Sequence, residues 1–372
     1  MALDQFFEHI QNQFDKKLPF VAYKKPDTSV VKGLLQSDAI IHTSVDFTES
    51  GFVFAPFDAE NEAFLIPIEN STGIEHEFLP SHEFDGATKA DQSPSNQKEF
   101  HAHLVQKAIE AIKNNHLKKV VLSRREAVQP PEANPINLFK KLLHTYTTAF
   151  VYCWYHPKVG LWLGATPETL LSIRGNQLKT MSLAGTQPFK GSTDVVWKEK
   201  EKEEQQLVTD FIVGSLETSV DTIKVSEIET VRAGNLLHLR TTIQANLKPG
   251  TLNLKHLLKA IHPTPAVCGF PKDKAKAFIL EHEGYPREFY AGFLGELNLK
   301  ETTTRNTNRR NVENNAYAVS KKVSNFYVNL RCMQLKDEHV YLYVGGGITK
   351  DSDAEMEWEE TVHKSQTIKR IL

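Results

Sequence analysis

The chain has 372 residues, of which 40% are hydrophobic and 24% charged, with 44 Lys and Arg against 46 Asp and Glu. This length is sufficient for one large domain with a sizeable core, and the composition excludes a disordered chain or a coiled coil. The net charge of -2 provides no field that would attract nucleic acid or an anionic membrane. We therefore predict no nucleic-acid or membrane partner, and any bound anion must be held by local groups.

The cysteines and the N-terminus bear on the compartment. Cys153, Cys268 and Cys332 lie far apart and form no C-x-x-C pair, so neither a disulfide framework nor a zinc site is indicated. The first residues contain no basic segment leading to an apolar one, and no apolar run approaches about 18 residues. We expect a cytoplasmic protein, monomeric and with reduced thiols.

The first part of the chain is predicted to contain an amphipathic helix and short strands. Apolar residues at helical spacing indicate the helix: Phe6, Phe7, Ile10 and Phe14. Apolar runs at 51–55 and 63–66 indicate strands. The polar segment 86–97, which contains Ser and Pro, indicates a surface connection. We predict an N-terminal portion, 1–95, packed into the same fold as the main domain, 96–372.

The main domain shows helical and strand patterns in irregular order. Helices are predicted around 100–112, 138–143, 197–220, 252–261 and 271–283. Strands are predicted at 118–123, 150–155, 161–164, 169–173, 178–183, 223–231, 236–245, 289–299, 326–334 and 340–344. The polar segment 300–322 indicates a long hairpin loop. Because strands and helices do not alternate regularly, the pattern favours an α+β fold with large antiparallel sheets over a doubly wound parallel sheet.

Two side chains in strand-like stretches could carry acid and base chemistry. Side chains alternate along 118–123, so Lys118 or Lys119 points inward, and a desolvated lysine can act as a general base. The alternative for Lys119 is a position at the mouth of the strand, where it reaches water. Glu168 follows Pro167 at a turn, and it could be a general acid if burial raises its pKa. The alternative is an ordinary turn carboxylate.

Carboxylates on two predicted helices could hold a metal ion. Glu204 lies in the charged run 198–206 but is on the apolar stripe of its helix, and an inward glutamate needs a cation. In the last helix Glu357, Glu360 and Lys364 share one face, which could also be a solvated, salt-bridged surface. Glu204 together with a carboxylate of the last helix would suit Mg²⁺, which binds few carboxylates and keeps several waters.

Several common motifs are absent from the sequence. The segment 262–266 has a single histidine, which does not make a zinc site. The glycine run 345–347 is not G-x-G-x-x-G, although its backbone N–H groups could bind an anion. The sequence contains neither a P-loop nor a G-x-S-x-G elbow, so nucleotide-phosphate and serine-hydrolase chemistry are disfavoured.

Nine stretches, in order across residues 98–372, resemble the chorismate-utilising enzymes, and among them the isochorismate synthases of menaquinone and siderophore biosynthesis. The stretches are KVVLSR at 119–124, LGATPE at 163–168, SLAGT at 182–186, Glu204, HPTPAVCGFP at 262–271, YPREFYAG at 285–292, LRC at 330–332, VGGGI at 344–348 and EWEETVHK at 357–364. The first ninety residues match only loosely, and the insert 300–322 is longer than the family pattern.

The resemblance implies the chorismate-binding fold of aminodeoxychorismate synthase, which has two stacked antiparallel sheets with helices on the outside. It implies that Lys119 activates the water that attacks C2 of chorismate, and that Glu168 protonates the departing C4 hydroxyl. Glu204 and Glu360 would hold Mg²⁺, with Glu357 nearby. The residues implied to line the substrate are Gly185, Ala266, Arg331, Gly345 and Lys364. Arg331 and Lys364 would balance the substrate carboxylates.

Two positions distinguish branches of this family. Related ammonia-using anthranilate synthases have glutamine at the position of Lys119, and aminodeoxychorismate synthases have a nucleophilic lysine at the position of Ala184. This chain therefore resembles the water-using branch, an isomerase that makes isochorismate. Salicylate synthases share both residues, because they also make isochorismate before they eliminate pyruvate, and they remain the alternative. A catalytically inactive binding module of the same fold is disfavoured, since a binder needs neither Lys119 nor Glu168.

Overall fold

A computed structural model describes residues 3–80, 95–129, 134–248, 253–303 and 319–372. Its α-helices are α1 (Leu3–Asp15), α2 (Ser95–Lys113), α3 (Pro135–Thr145), α4 (Glu199–Leu216), α5 (Leu254–Ile261), α6 (Lys272–His282) and α7 (Ala354–Lys369). Strands of the N-terminal part are β1 (Phe20–Lys24), β2 (Val30–Gln36), β3 (His42–Ser44), β4 (Gly51–Ala55), β5 (Ala63–Pro67) and β6 (Ser71–Glu77).

The remaining strands follow in two groups. The first group is β7 (Lys119–Val128), β8 (Phe150–His156), β9 (Gly160–Thr166), β10 (Thr169–Arg174), β11 (Gln177–Pro188), β12 (Val220–Val225) and β13 (Glu229–Ala233). The second group is β14 (Leu236–Leu247), β15 (Gly269–Phe270), β16 (Phe293–Thr303), β17 (Val319–Val328), β18 (Cys332–Lys336) and β19 (His339–Ile348).

These strands form two large sheets whose neighbouring strands pair antiparallel. The first sheet has the order β15-β7-β19-β18-β9-β8-β1-β2-β6. The second has the order β12-β14-β11-β10-β17-β16-β4-β5-β3, and β13 also pairs with β14. The predicted α+β class with two antiparallel sheets is confirmed.

The two sheets pack face to face through a buried aromatic layer. Phe54 of the second sheet lies 5.0 Å, between ring centroids, from Trp154 of the first, and Phe150 of the first lies 4.1 Å from Tyr327 of the second. Large aromatic rings bury the apolar area that holds two such sheets together. A separate buried cluster lies on the opposite face of the first sheet, where α1, α3 and the end of α7 cover it.

Residues of the N-terminal part enter both sheets. Strand β1 pairs with β8 in the first sheet, and β4 pairs with β16 in the second. The division of the chain at residue 95 stays a prediction. Residues 86–94 of the predicted connection lie outside the described residues, and α2 already begins at Ser95.

Three predicted strands were wrong in their limits. The run 326–334 is two strands in different sheets, β17 and β18, because residues 329–331 cross from the second sheet to the first. The run 223–231 is also two strands, β12 and β13, which both pair with β14. The strand predicted from residue 289 begins at Phe293, since residues 289–292 form turns.

Two further sequence predictions differ from the structure. Phe100, the first apolar residue of the helix predicted around 100–112, is 51% exposed and does not belong to the buried face of α2. The predicted hairpin loop 300–322 begins and ends inside paired strands, with Lys300 opposite Lys322, and residues 304–318 lie outside the described residues. No helix in the described residues is both long and apolar enough to cross a membrane.

Candidate active site

A cavity of about 100 Å³ lies where β7 and β19 of the first sheet meet β11 and β14 of the second, with α4 and α7 alongside. Nine of the ten predicted site residues line it: Glu168, Gly185, Glu204, Ala266, Arg331, Gly345, Glu357, Glu360 and Lys364. The tenth, Lys119, is not part of the lining but contacts Glu204. Segments that are far apart in the sequence therefore meet in one polar cavity.

Lys119 is the first residue of β7 and is buried, with 1% of its surface exposed. Its Nζ lies 2.7 Å from Oε1 of Glu204. Within the described part of the chain this nitrogen makes no hydrogen bond of normal geometry, so the contact with Glu204 is an ion pair. The alternative, a lysine reaching water at the mouth of the strand, is wrong.

Glu204 is held in place by the packing of α4. Val208, Ile212 and Leu216 form the buried face of this helix. The neighbouring Gln205 is fully buried, and its amide donates to hydroxyl oxygens of β11 and β14, among them Thr241 at 2.7 Å. A buried amide with several acceptors fixes the rotation of the helix about its axis. Glu204 is therefore directed into the cavity.

The glycine run lies inside β19, where it pairs with β7. A Cβ on Gly347 would lie 2.7 Å from Oε1 of Glu204 and 3.0 Å from Cε of Lys119. A Cβ on Gly346 would lie 3.3 Å from Oε2 of Glu357. The absence of side chains here lets charged groups approach the strand backbone on both of its faces.

Glu168 lies between β9 and β10 and is 4% exposed. Burial raises the pKa of its carboxyl group to about 8, although Lys119 and Arg331 act in the opposite direction. Desolvation disfavours the charged carboxylate. Its effect on the pKa outweighs the attraction of the two cations, which do not contact the carboxyl group directly. Glu168 therefore carries a proton at neutral pH, as a general acid requires.

Arg331 lies in the crossover between the two sheets and has a φ of 47°. Its carbonyl accepts a hydrogen bond from Ala165 N at 3.1 Å, and the side chain of Asn329, in the same crossover, is bonded to Tyr152 and Phe289. Burial lowers the pKa of the guanidinium, but an arginine remains charged at physiological pH. The crossover thus holds a cation at the cavity wall.

The inward face of α7 carries charge of both signs. Lys364 Nζ donates to Oε1 of Glu360 at 2.5 Å and to the carbonyl of Gly345 at 2.9 Å. Burial would raise the pKa of Glu360, but Lys364 outweighs it and the pKa is lowered. Burial, followed by repulsion from Glu360, raises the pKa of Glu357. A solvated, salt-bridged surface is excluded for this face, since Glu357 and Lys364 are buried.

The three predicted metal ligands line one cavity, and carboxylate oxygens are the ligands that Mg²⁺ prefers. The chemistry of the donor set therefore fits this ion. In the described part of the chain, however, no three His, Cys, Asp or Glu side chains are gathered closely enough to hold a metal as they stand. Each of these carboxylates contacts a lysine: Glu204 contacts Lys119, Glu360 contacts Lys364 and Glu357 contacts Lys200. The metal site stays a prediction.

Comparison with known proteins identifies the family of the chain. A family model described as "Chorismate binding enzyme" matches residues 60–304, and a second model of the same description matches 316–370. The chain belongs to the chorismate-binding enzyme family. The sequence resemblance drawn from the nine stretches is confirmed.

Among relatives of this chorismate-binding enzyme, isochorismate synthase MenF of Escherichia coli is 30% identical over 280 residues, which are 72% of this chain and 59% of the relative. The salicylate biosynthesis isochorismate synthase of Pseudomonas aeruginosa is 29% identical over 79% of this chain and 58% of its own length. The chain thus spans under two thirds of these relatives. The structure of MenF, the menaquinone-specific isochorismate synthase from E. coli, matches with a TM-score of 0.74 and 22% identity, covering 95% and 88% of the two chains.

His238 is a cavity residue of this chorismate-binding enzyme that the sequence analysis missed. Its Nδ1 lies 2.7 Å from the carbonyl of Gly185, so this nitrogen carries the proton and donates it. Burial lowers the pKa of His238 to about 3, which keeps the imidazole neutral. Its Nε2 is buried with no hydrogen-bond partner among the described residues. This nitrogen therefore presents an acceptor to a ligand hydroxyl, and a histidine inside an apolar strand was its only sequence signal.

Lys200 is a second residue that the sequence analysis missed. It lies in the first turn of α4 and lines the cavity. Its Nζ lies 3.3 Å from Oε1 of Glu357 and 3.3 Å from Oγ of Ser352. The surrounding run of alternating lysine and glutamate concealed it, because such a run is usually a solvated helix face.

Proposed function

We propose that this chorismate-binding enzyme converts chorismate to isochorismate, by adding water at C2 with loss of the C4 hydroxyl. The observation that carries the proposal is that the carboxyl group of Glu168, whose pKa burial raises to about 8, is buried in the same site as the side chain of Lys119. An acid and a base in one site suit a reaction in which one hydroxyl enters while another leaves. The printed names of the relatives, isochorismate synthases, support the same reaction.

Each of the two groups moves one proton. Lys119 takes a proton from the attacking water as the C2–O bond forms, and Glu168 gives its proton to the C4 oxygen as the C4–O bond breaks. One water enters and one water leaves, so the product is an isomer of the substrate. Lys119 ends with an extra proton and Glu168 without one, and exchange with solvent restores both.

The ion pair with Glu204 bears on the base. Lys119 Nζ lies 2.7 Å from Oε1 of Glu204, so the proposed base contacts a proposed metal ligand. Glu204 thus has two roles in the proposal, as a ligand and as the group that holds the Lys119 side chain in position.

We propose that Glu204 and Glu360 hold Mg²⁺, with Glu357 bound directly or through water. The bound ion supplies positive charge for the C1 carboxylate of the substrate. Arg331 and Lys364, both at the cavity wall, balance the substrate's negative charge. Gly185, Ala266 and Gly345 also line the cavity, and in the proposal their backbone and the small side chain of Ala266 would contact the substrate ring.

The test is incubation of the full chain with chorismate and Mg²⁺, followed by chromatographic separation of the products. Isochorismate alone is the expected result. Salicylate with pyruvate would establish the alternative, a salicylate synthase, which forms isochorismate and then eliminates pyruvate. Unchanged chorismate after prolonged incubation, with binding of chorismate still measurable, would leave only a ligand-binding role.

A further inference from the structure

Lys200 occupies a position from which it competes with a metal ion. Its ammonium lies against Oε1 of Glu357, one of the three carboxylates proposed as metal ligands, and against Oγ of Ser352. Glu357 itself is 5% exposed and lines the cavity. A carboxylate buried to this degree needs a cation, and Lys200 is the cation that it contacts.

Three lysines pair with the three proposed ligands, but they differ in their freedom to leave. The side chains of Lys119 and Lys364 are 2% and 11% exposed, whereas that of Lys200 is 36% exposed. A buried ammonium that loses its carboxylate is left without solvent, which is costly. A half-exposed lysine can instead rotate its head group into water. Lys200 is therefore the lysine that can withdraw at least cost.

We propose that Lys200 and Mg²⁺ compete for Glu357, so that Lys200 sets the affinity of the site for the divalent ion. The inference rests on the proposed function, because it assumes that the carboxylates bind Mg²⁺. Binding of the ion requires the ammonium to leave the Glu357 carboxylate, and the two cations also repel each other at this range. Removing the charge of Lys200 should therefore strengthen Mg²⁺ binding.

The experiment is isothermal titration of MgCl₂ into the full-length wild-type protein and two alanine variants. The first variant is Lys200→Ala. The matched control is Lys202→Ala, which removes the same charge from the same helix, where Lys202 pairs with the exposed Glu199 on the surface. We expect the Kd for Mg²⁺ to fall about five- to tenfold in Lys200→Ala, and to change less than about twofold in Lys202→Ala.

Two further variants separate charge from shape. Lys200→Arg retains the charge and should keep the wild-type Kd within about a factor of three, while Lys200→Gln should behave as Lys200→Ala does. Because Lys200 is half-exposed, these variants are expected to fold, and a circular dichroism melt checks this.

The outcomes distinguish the two proposals. An unchanged or higher Kd in folded Lys200→Ala, with clear Mg²⁺ binding by the wild type, would overturn the role of Lys200 and leave the metal requirement intact. No Mg²⁺ binding by any of the proteins would overturn the metal site and, with it, this inference. If the Kd for Mg²⁺ fell by the same factor in Lys200→Ala and in Lys202→Ala, the effect would be one of general charge, and the role of Lys200 would also be overturned.

Discussion

Lys119 Nζ and Glu204 Oε1 lie 2.7 Å apart, directly over Gly347, where a side chain would collide with both residues. The lysine comes from β7, the glutamate from α4 and the glycine from β19. The contact therefore depends on the registration of a helix against two paired strands. It joins the proposed base to a proposed metal ligand, so a change in either residue affects the other.

Replacement of Lys119 tests the base. Lys119→Met keeps much of the apolar volume but removes the amine, and we expect kcat to fall at least about 10²-fold, because one general base contributes about 10²–10⁴. Chorismate binding, followed by fluorescence titration, should remain measurable. The matched control is Lys118→Met, since Lys118 is exposed and directly precedes β7. Full activity in Lys119→Met would rule out the proposed mechanism.

The space over Gly347 can be tested with one methyl group. Gly347→Ala places a Cβ 2.7 Å from Oε1 of Glu204, so the end of the Glu204 side chain must shift, and we expect a reduced kcat with a loss of at most about 1 kcal/mol in the free energy of unfolding. Gly214→Ala is the control, because Gly214 lies in α4 with nothing within 4 Å of the added Cβ. It should stabilise the protein by about 0.5–1 kcal/mol. Urea denaturation measures the free energy of unfolding of both variants. Equal stability of the two would contradict the prediction that a side chain at position 347 is crowded by Glu204.

The raised pKa of Glu168 predicts an alkaline limit to activity. The pKa is about 8 in the folded protein, against an ordinary value of 4.5. This pKa is that of the ligand-free protein, whose protonation state governs kcat/KM, so kcat/KM should decline about tenfold per pH unit above about pH 8. Glu168→Gln should be nearly inactive throughout. A wild-type pH profile that stays flat well beyond pH 8 would argue against Glu168 as the acid.

The same shift predicts a pH dependence of stability. Between pH 4.5 and about 8 the folded state binds one more proton at Glu168 than the unfolded state does, so stability falls as pH rises. The contribution of this residue to the free energy of unfolding should decrease by about 1.4 kcal/mol per pH unit. Glu168→Gln has no carboxyl group to titrate at this position. Its free energy of unfolding relative to wild type should therefore increase as the pH rises over that range. Urea titrations at both ends of the range measure the difference.

Metal removal tests the carboxylates. Activity should be lost in excess chelator and restored by Mg²⁺, and Glu204→Ala should require a higher Mg²⁺ concentration for half-maximal rate. The corresponding control is Glu203→Ala, since Glu203 is exposed on the same helix. Activity that is indifferent to chelator would remove Mg²⁺ from the proposal while leaving the acid and base in place.

Much of the architecture could be predicted from local patterns. Strand β4 has the predicted limits, and α5 and β8 were placed to within about two residues, because periodicity and β-branched or aromatic content are local signals. The crossover at 329–331 could not be predicted. The run from Phe326 to Gln334 reads as one apolar strand, and nothing local shows that its two halves pair in different sheets. As a result, Arg331 was assigned to the substrate only through the family resemblance.

The sequence by itself determined which residue types are available: the motif residues, the lysine at position 119 and the alanine at 184, and the family to which they point. The tertiary structure decided their environment. It placed Glu168 out of water, which raises its pKa, and it paired Lys119 with Glu204. It also brought His238 and Lys200 into the cavity. Burial and ion pairing depend on residues distant in the chain, so these properties arise only when the two sheets and their helices come together.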